Sequence, residues 1–279
     1  MDQEKADTFG KSLGFSQYAA VERIPFSSVD LVMSCDGVGT KLLIAEELGI
    51  YNTVGIDLVA MSANDILAQG GIPHWFMDYY ATGELDLDKS NQILDGVKKG
   101  CELANCKLVG GETAQLNPMF LRKEWFDLAG FAAGTLRRRF DAERVRIGDR
   151  LIGIPSSGLH SNGFTTIRNS YSTWEPWMLE PTRIYVDEMF RNFKYIKAAA
   201  HITGGGIHGN LKRITQGRKY TLHFDFSDFW NGILTNTGLT PIKMLNTFNC
   251  GWGMILIVEG LNTQLLDIPD AVEIGKIIF

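Results

Sequence analysis

The sequence contains a short glycine-rich segment that ends in a lysine, Asp36-Gly37-Val38-Gly39-Thr40-Lys41. Glycines at this spacing let backbone N–H groups approach an anion, and the start of a following helix favours negative charge. Lys41 could pair with a phosphate there, and Asp36 could hold a cation. The spacing is not that of a P-loop, which requires GxxxxGK[ST]. An ordinary strand-to-helix turn that uses glycine for its backbone conformation would explain the same residues.

Acidic residues stand in two further segments that are otherwise apolar or rich in glycine. Asp57 and Asp65 lie about 80° apart around a predicted helix, so they share one broad side of it, beside Asn64. Buried carboxylates need partners, and Mg²⁺ prefers oxygen ligands. Glu112 follows Gly110-Gly111 at the predicted end of a strand, where ligands often bind in layered folds. The alternatives are that Asp57 caps its helix with Asp65 in solvent, and that Glu112 starts a helix after a turn.

Two more loops combine small residues with a histidine. The first, SSGLHSNG at residues 156–163, contains His160, whose side chain ordinarily titrates near neutral pH. It lacks the GxSxG nucleophile elbow, so it does not predict a serine esterase. The second, HITGGG at residues 201–206, is typical of a phosphate-binding turn that leads into a helix. A structural histidine and a plain turn remain the alternatives.

Short apolar runs and amphipathic runs alternate around these motifs. Strands are predicted at residues 29–34, 53–56, 75–82, 107–109, 126–135, 151–154, 220–225, 254–258 and 274–278. Helices are predicted at residues 42–48, 57–69, 89–104 and 182–193. A charged connector separates two halves, so we place the domain boundary near residue 140, with domains at 1–140 and 141–279. Strands and helices mix in both halves, which predicts α+β or α/β layers.

Charge and composition exclude several classes of protein. The 279 residues carry a formal net charge of −5, whereas a nucleic-acid binder usually shows a basic domain or stripe, and the cluster Arg137-Arg138-Arg139 is too short to be one. The four cysteines form no CxxC pair, which predicts reduced thiols in the cytosol. The N-terminal residues lack the apolar core of a signal peptide, and no run reaches the ~20 apolar residues that span a bilayer. We therefore expect a soluble, cytoplasmic protein that binds neither nucleic acid nor membrane.

The motifs follow one another in a specific order: DGVGTK, GIDLVAMSANDILAQGGIP, FMDYYATG, GGET, DLAGF, SSGLHSNG, EPTRIYV, HITGGG and TFNCGWGM. From about Val29 to the C-terminus, this order closely resembles the aminoimidazole ribonucleotide (AIR) synthetase family, also called phosphoribosylformylglycinamidine cyclo-ligases. Superfamily relatives such as selenophosphate synthetase and thiamine monophosphate kinase share weaker versions. Relative to the family, the N-terminal segment is shortened, with residues 9–15 as its remnant and Lys11 as a candidate for its nucleotide-binding lysine.

The resemblance implies a two-domain α+β fold. Its N-terminal domain would form a β-barrel across a homodimer, and its C-terminal domain would be an α/β-layered unit packed over it. The implied reaction is the cyclisation of formylglycinamidine ribonucleotide to AIR, with ATP and Mg²⁺ as cofactors, in de novo purine biosynthesis. Two alternatives stay open: another ATP-dependent kinase or synthetase of the superfamily, and a truncated, non-catalytic dimeric paralogue.

The resemblance also implies roles for the residues described above. The predicted metal ligands are Asp36, Asp65 and Glu112, with Asp57 in support. The other predicted ATP contacts are Gly37, Gly39, Thr40, Lys41, Asn64, Gly110 and Gly111. The predicted substrate contacts are Ser157, His160, Ser161, Asn162, Thr203, Gly204, Gly205 and Gly206. The predicted catalytic residues are His160, Asp65 and Lys41.

Overall fold

The computed structural model describes residues 18–279, which form two halves, each built on a five-stranded sheet. The predicted remnant at residues 9–15, including Lys11, lies outside the described residues. The strands of the N-terminal half are β1 (Ala20–Arg23), β2 (Asp30–Gly37), β3 (Gly71–Thr82), β4 (Lys107–Gln115) and β5 (Phe126–Leu136). Its helices are α1 (Lys41–Leu48), α2 (Asn52–Ala68) and α3 (Leu87–Leu103).

The C-terminal half begins after a connector that follows β5. Its strands are β6 (Arg150–Pro155), β7 (Ile196–His201), β8 (Tyr220–Leu222), β9 (Trp252–Val258) and β10 (Val272–Ile277). Its helices are α4 (Phe164–Ser170), α5 (Val186–Asn192), α6 (Gly206–Thr215), α7 (Asp228–Thr237) and α8 (Pro241–Thr247). No helix within residues 18–279 has both the length and the apolar character needed to cross a membrane.

The N-terminal sheet has the strand order β1-β2-β5-β3-β4. Only the β3–β4 pair is parallel, because α3 carries the chain back to the same end of the sheet. The helix α2 packs on β2, β5 and β3, and it is buried along almost its whole length. Helices α2 and α3 approach closely at Gly55 and Gly96, where a Cβ atom would clash with the facing backbone of Ile93 and Asn52.

The C-terminal sheet has the order β7-β9-β6-β10-β8, and each of its strand pairs is antiparallel. The apolar strand β9 lies between β7 and β6, with every residue after Trp252 buried, so it forms the centre of this half. The end of β7 faces α2 of the N-terminal half. This contact brings motifs from the two halves together.

Three local predictions differ from the structure. Residues 53–56 form the first turn of α2 rather than a strand, because this segment packs against α3. β4 continues through Gly110 and Gly111 to Gln115, since both glycines pair with β3 next to an irregularity in its register. The helix predicted at 182–193 begins only at Val186, because the preceding residues are irregular and bonded to α2.

Candidate active site

Two carboxylates of the N-terminal half lie close together at the end of β2. Asp36 is the penultimate residue of β2, and Asp65 lies in the last turn of α2, where it accepts a hydrogen bond from Ser34 Oγ at 3.4 Å. The pKa of Asp36 is raised to about 6, mainly by burial and to a smaller extent by the negative charge of Asp65. When two carboxylates repel each other in their ionised forms, a bound cation or a shared proton stabilises the pair.

The C-terminal half adds His201, at the end of β7, to this pair. Its Nδ1 lies 2.9 Å from Asp65 Oδ1, and the side chain is fully buried. Asn64 Nδ2 lies 3.5 Å from the other ring nitrogen. Because an amide nitrogen only donates, Nε2 accepts and the Nδ1 proton faces Asp65. We call Asp36, Asp65 and His201 the interdomain cluster. It combines two acidic groups with a group that holds a proton.

His201 is absent from the predicted site residues. The signal that could have found it is its position at the start of the HITGGG motif, directly before a glycine turn. Nothing in the local sequence pairs it with Asp65, because the two residues are 136 positions apart.

The turn at residues 203–206 follows β7 and begins α6. Gly205 and Gly206 have φ angles of 90° and 61°, which favour glycine, and a Cβ atom on Gly206 would clash with the backbone of α8. The Asn210 amide fixes the turn by donating to three carbonyls, those of Thr203 at 3.2 Å, Gly204 at 3.3 Å and Gly206 at 2.8 Å. Gly204 is exposed at the N-terminus of α6, where a helix favours an anion.

The turn at residues 37–40 lies next to Asp36 and leads from β2 into α1. Gly39 has a φ of 73° and open space where a side chain would point. Gly39 and Thr40 are both exposed. This placement is compatible with the predicted nucleotide contacts of Gly37, Gly39 and Thr40, which stay predictions.

Lys41 is not placed to contact a phosphate, which corrects that prediction. Its ammonium donates to the carbonyls of His160 at 3.0 Å and Glu180 at 2.8 Å, and it lies 2.7 Å from Asp57 Oδ2. Two hydrogen bonds and one ion pair therefore hold the ammonium. Burial lowers the pKa of Lys41, and the Asp57 carboxylate opposes this effect. Lys41 therefore joins the two halves.

His160 is fully buried, although its loop is rich in serine and glycine. Its Nε2 accepts a hydrogen bond from the Ser157 backbone at 3.2 Å, and its ring lies 6.5 Å from that of Tyr185. Burial, and then the nearby His201 and Lys41, lower the pKa of His160 well below its ordinary value. The imidazole is therefore neutral and out of reach of a substrate, which corrects the predicted catalytic role.

The neighbouring loop residues hold the loop in place. Ser157 Oγ donates to the Pro181 carbonyl at 2.5 Å, and Asn162 Nδ2 donates to the Ile202 carbonyl at 3.2 Å. The hydroxyl of Ser161 lies 3.5 Å from that of Thr182. The predicted substrate contacts of Ser157, Ser161 and Asn162 stay predictions.

Asp57 and Asn64 bind the extended segment at residues 182–185. Thr182 donates to Asp57 Oδ1 from its backbone at 2.8 Å and from its hydroxyl at 2.6 Å. Asn64 donates to the Arg183 carbonyl at 2.9 Å and accepts from the Tyr185 backbone at 3.2 Å. Both side chains therefore serve the contact between the halves, which corrects the prediction that Asn64 binds the nucleotide.

Glu112 does not join Asp36 and Asp65, which corrects the predicted set of three metal ligands. In the sheet register Glu112 aligns with Tyr79, Ala129 and Gly37, so it lies three strands and about 14 Å from the end of β2. Its exposed side chain is on the opposite face of the sheet from that of Asp36. Within residues 18–279, no group of three or more His, Cys, Asp or Glu residues is arranged to hold a metal. Gly110 and Gly111 lie beside Glu112 in β4, so they are equally remote from the interdomain cluster.

Known proteins resemble this chain in sequence and in fold. The AIR synthase related protein N-terminal domain matches residues 16–136, and the C-terminal domain of the same family matches residues 146–278. The chain is 44% identical over 254 residues to the phosphoribosylformylglycinamidine cyclo-ligase of Nitratidesulfovibrio vulgaris, covering 82% of this chain and 72% of that protein. It is 37% identical over 278 residues to the enzyme of that name from Polaromonas, covering 91% and 80%.

Two solved structures show the same fold at low sequence identity. AaThiL complexed with AMPPCP and TMP has a TM-score of 0.74 at 19% identity, covering 99% of this chain and 90% of that chain. HypE of E. coli has a TM-score of 0.70 at 16% identity, covering 100% and 91%. The fold is therefore shared by proteins with different names, and the assignment depends on the sequence relatives.

Proposed function

We propose that this chain, which belongs to the AIR synthase family, converts formylglycinamidine ribonucleotide and ATP into aminoimidazole ribonucleotide, ADP and phosphate. The observation that carries the proposal is the 44% identity to a cyclo-ligase over 82% of the chain. The interdomain cluster supports it, since it brings acidic and proton-holding groups of both halves beside two glycine turns. The AMPPCP complex of a protein with the same fold supports the use of ATP.

The chemistry explains why such a cluster is useful. The formyl amide oxygen is a poor leaving group, so the γ-phosphoryl group of ATP is transferred to it and ADP leaves. The amidine nitrogen then attacks the activated carbon, loses a proton and closes the five-membered ring, and the oxygen departs as phosphate. His201 would orient Asp65 by donating its Nδ1 proton to that carboxylate, and the departing phosphate would take up the proton that the amidine loses. The exposed glycine turns would position the phosphates, because positioning dominates phosphoryl transfer.

As part of this proposal we assign magnesium binding to Asp36, at the end of β2, and Asp65, in the last turn of α2. Burial and the neighbouring Asp65 raise the pKa of Asp36, so a cation beside this carboxyl would favour its ionised form, and oxygen ligands are those that Mg²⁺ prefers. Asp36 and Asp65 would hold the ion, with water and phosphate oxygens in the other positions. The ion would neutralise charge on the phosphates during transfer.

We also propose that the chain forms a homodimer through the open face of its N-terminal sheet. On this face β3 presents Trp75, Met77 and Tyr79, which are 45%, 42% and 41% exposed, and β4 adds Val109. An apolar sheet face of this kind is costly in water and marks an interaction surface. A barrel shared by two copies would cover it. Light scattering should give a mass near twice 31.1 kDa, and Met77→Glu should give a monomer. A wild type that is monomeric and active contradicts this arrangement.

The reaction is tested by mass-spectrometric detection of aminoimidazole ribonucleotide from purified protein, formylglycinamidine ribonucleotide and Mg·ATP. Asp65→Asn should abolish the product, whereas the matched variant Asp95→Asn, at a side chain on α3 that is 72% exposed, should keep it. Phosphate release on another acceptor, without this product, would favour a different synthetase or kinase. A melting temperature that does not respond to nucleotide would favour a non-catalytic paralogue. The cytoplasmic location stays a prediction.

A further inference from the structure

A basic pocket lies where the connector after β5 meets α5 and the turn that follows it. It has a volume of about 400 Å³ and is lined by Arg137, Arg138, Phe190, Arg191, Phe193 and Lys194. Arg137 and Arg138 belong to the arginine cluster that is too short in sequence to be a binding surface. In the fold, Arg191 of α5 and Lys194 of the turn after it add two further positive charges beside them. Four positive charges meet here in a chain whose net charge is −5.

Most of these charges have no counter-charge. Within residues 18–279, Arg137, Arg138 and Lys194 form no ion pair. Arg191 has two long contacts, to Asp267 at 3.4 Å and to Asp187 at 3.9 Å, and the side chains of all three are at least half exposed. Like charges held close together repel, and an anion in the pocket would relieve that repulsion.

The backbone around the pocket is fixed. The N–H groups of Arg137 and Arg138 both donate to the Gly70 carbonyl at 3.0 Å, so α2 anchors them at its C-terminal end. Further along the connector, the Phe140 ring packs 5.7 Å from that of Phe193. The backbone of the two arginines is therefore held at the junction between the halves.

An aromatic ring completes the pocket. Phe190 is 55% exposed, whereas Phe193 beneath it is buried. An exposed ring beside clustered cations suits a planar base attached to phosphates, because the base stacks while the phosphates accept charge-assisted hydrogen bonds. A long nucleic acid is disfavoured by the acidic charge of the whole chain. The volume falls within the range of small-ligand sites.

We propose that this pocket is a second nucleotide site, which binds a nucleoside di- or triphosphate apart from the active site. The phosphates would contact Arg137 and Arg138 from the connector and Arg191 and Lys194 from the C-terminal half, and the base would stack on Phe190. Such a ligand bridges the two halves at the end of the helix that carries Asp65.

The test is isothermal titration of the full chain with ADP. Arg191→Gln/Lys194→Gln should weaken ADP binding at this site at least tenfold, since two charge-assisted contacts are removed. The matched control is Lys243→Gln/Lys276→Gln, which removes the same charge from two exposed lysines outside the pocket. Inorganic tripolyphosphate should compete for the site, and Phe190→Ala should weaken ADP several-fold while leaving tripolyphosphate unchanged.

Stoichiometry separates this proposal from the proposed function. If both hold, the wild type binds two ADP per chain and the double variant one. If the chain is not a cyclo-ligase and has no catalytic nucleotide site, the wild type binds one ADP per chain and the double variant binds none. Equal ADP binding by the wild type and the double variant, or an equal loss in the control, overturns the second site. An unchanged ADP affinity in Phe190→Ala, or tighter binding of a single-stranded dodecanucleotide than of ADP, overturns its assignment to a nucleotide.

Discussion

Replacing Lys41 by methionine should destabilise the protein strongly, because this lysine side chain is fully buried. Methionine fills a similar volume but leaves Asp57 buried without its cation, and it removes the donor from two carbonyls, those of His160 and Glu180. Breaking a fully buried pair from one side costs about 3–5 kcal/mol. For a chain of this size that corresponds to a fall in melting temperature of roughly 6–20 °C.

Urea unfolding, followed by tryptophan fluorescence, measures this loss. Lys99→Met is the matched control, because its ammonium also lies 3.0 Å from a carboxylate but both side chains are more than half exposed. We expect a change there of less than about 1 kcal/mol. Asp57→Asn in the Lys41→Met background should recover part of the loss, since an amide oxygen still accepts from Thr182 while the uncompensated charge is gone.

Two results would refute this reasoning. One is a free energy of unfolding for Lys41→Met that stays within 1 kcal/mol of the wild type. The other is a double variant whose loss equals the sum of the two single losses, because additivity means that the two side chains do not interact.

Three further predictions concern the candidate site. Folding raises the pKa of Asp36 from 3.8 to about 6. The protonated carboxyl therefore favours folding below pH 4, and this contribution to stability is lost as the pH rises through 6. Asp36→Asn should raise the free energy of urea unfolding by up to about 3 kcal/mol at pH 7.5 and have little effect at pH 3.5. His201→Asn should lower kcat roughly 10–100-fold, because Asp65 loses the N–H group that orients it, whereas His160→Asn should change kcat little, because the buried His160 ring lies against its own loop and Tyr185. Gly206→Ala, at a positive φ against the backbone of α8, should lower the melting temperature by several degrees, whereas Gly209→Ala, in open space on the same helix, should leave it unchanged or raise it.

The order of the motifs is enough to predict the family and the two-domain fold from the sequence, and the comparisons with known proteins confirm both. The motifs also include Asp36, Asp65 and the turn at 203–206, which the contact of Asp65 with His201 brings into one region between the halves; their roles stay predictions. These residues are recognisable because an acid at a strand end and consecutive glycines before a helix are typical of anion-binding turns, a pattern that they share with ordinary turns.

Burial and long-range pairing could not be predicted in the same way. A lysine after a glycine turn has the local pattern of a phosphate ligand, yet the partner of Lys41 is Asp57 on the next helix, and two of its acceptors come from the other half. Gly110-Gly111 has the local pattern of a turn, but pairing with β3 keeps it extended and carries Glu112 away from the site. In each case tertiary contacts override the local preference.

The position of α2 has a consequence for cooperativity. Asp57, Asn64 and Asp65 on this helix all bond to the C-terminal half, and the same helix supports the N-terminal sheet. If the halves separated, these buried polar groups would lose their hydrogen-bond partners at the same time. The free energy lost would then exceed the stability that either half has alone. The two sheets should therefore melt in a single calorimetric transition, and residues 18–136 expressed alone should not reach a stable native state.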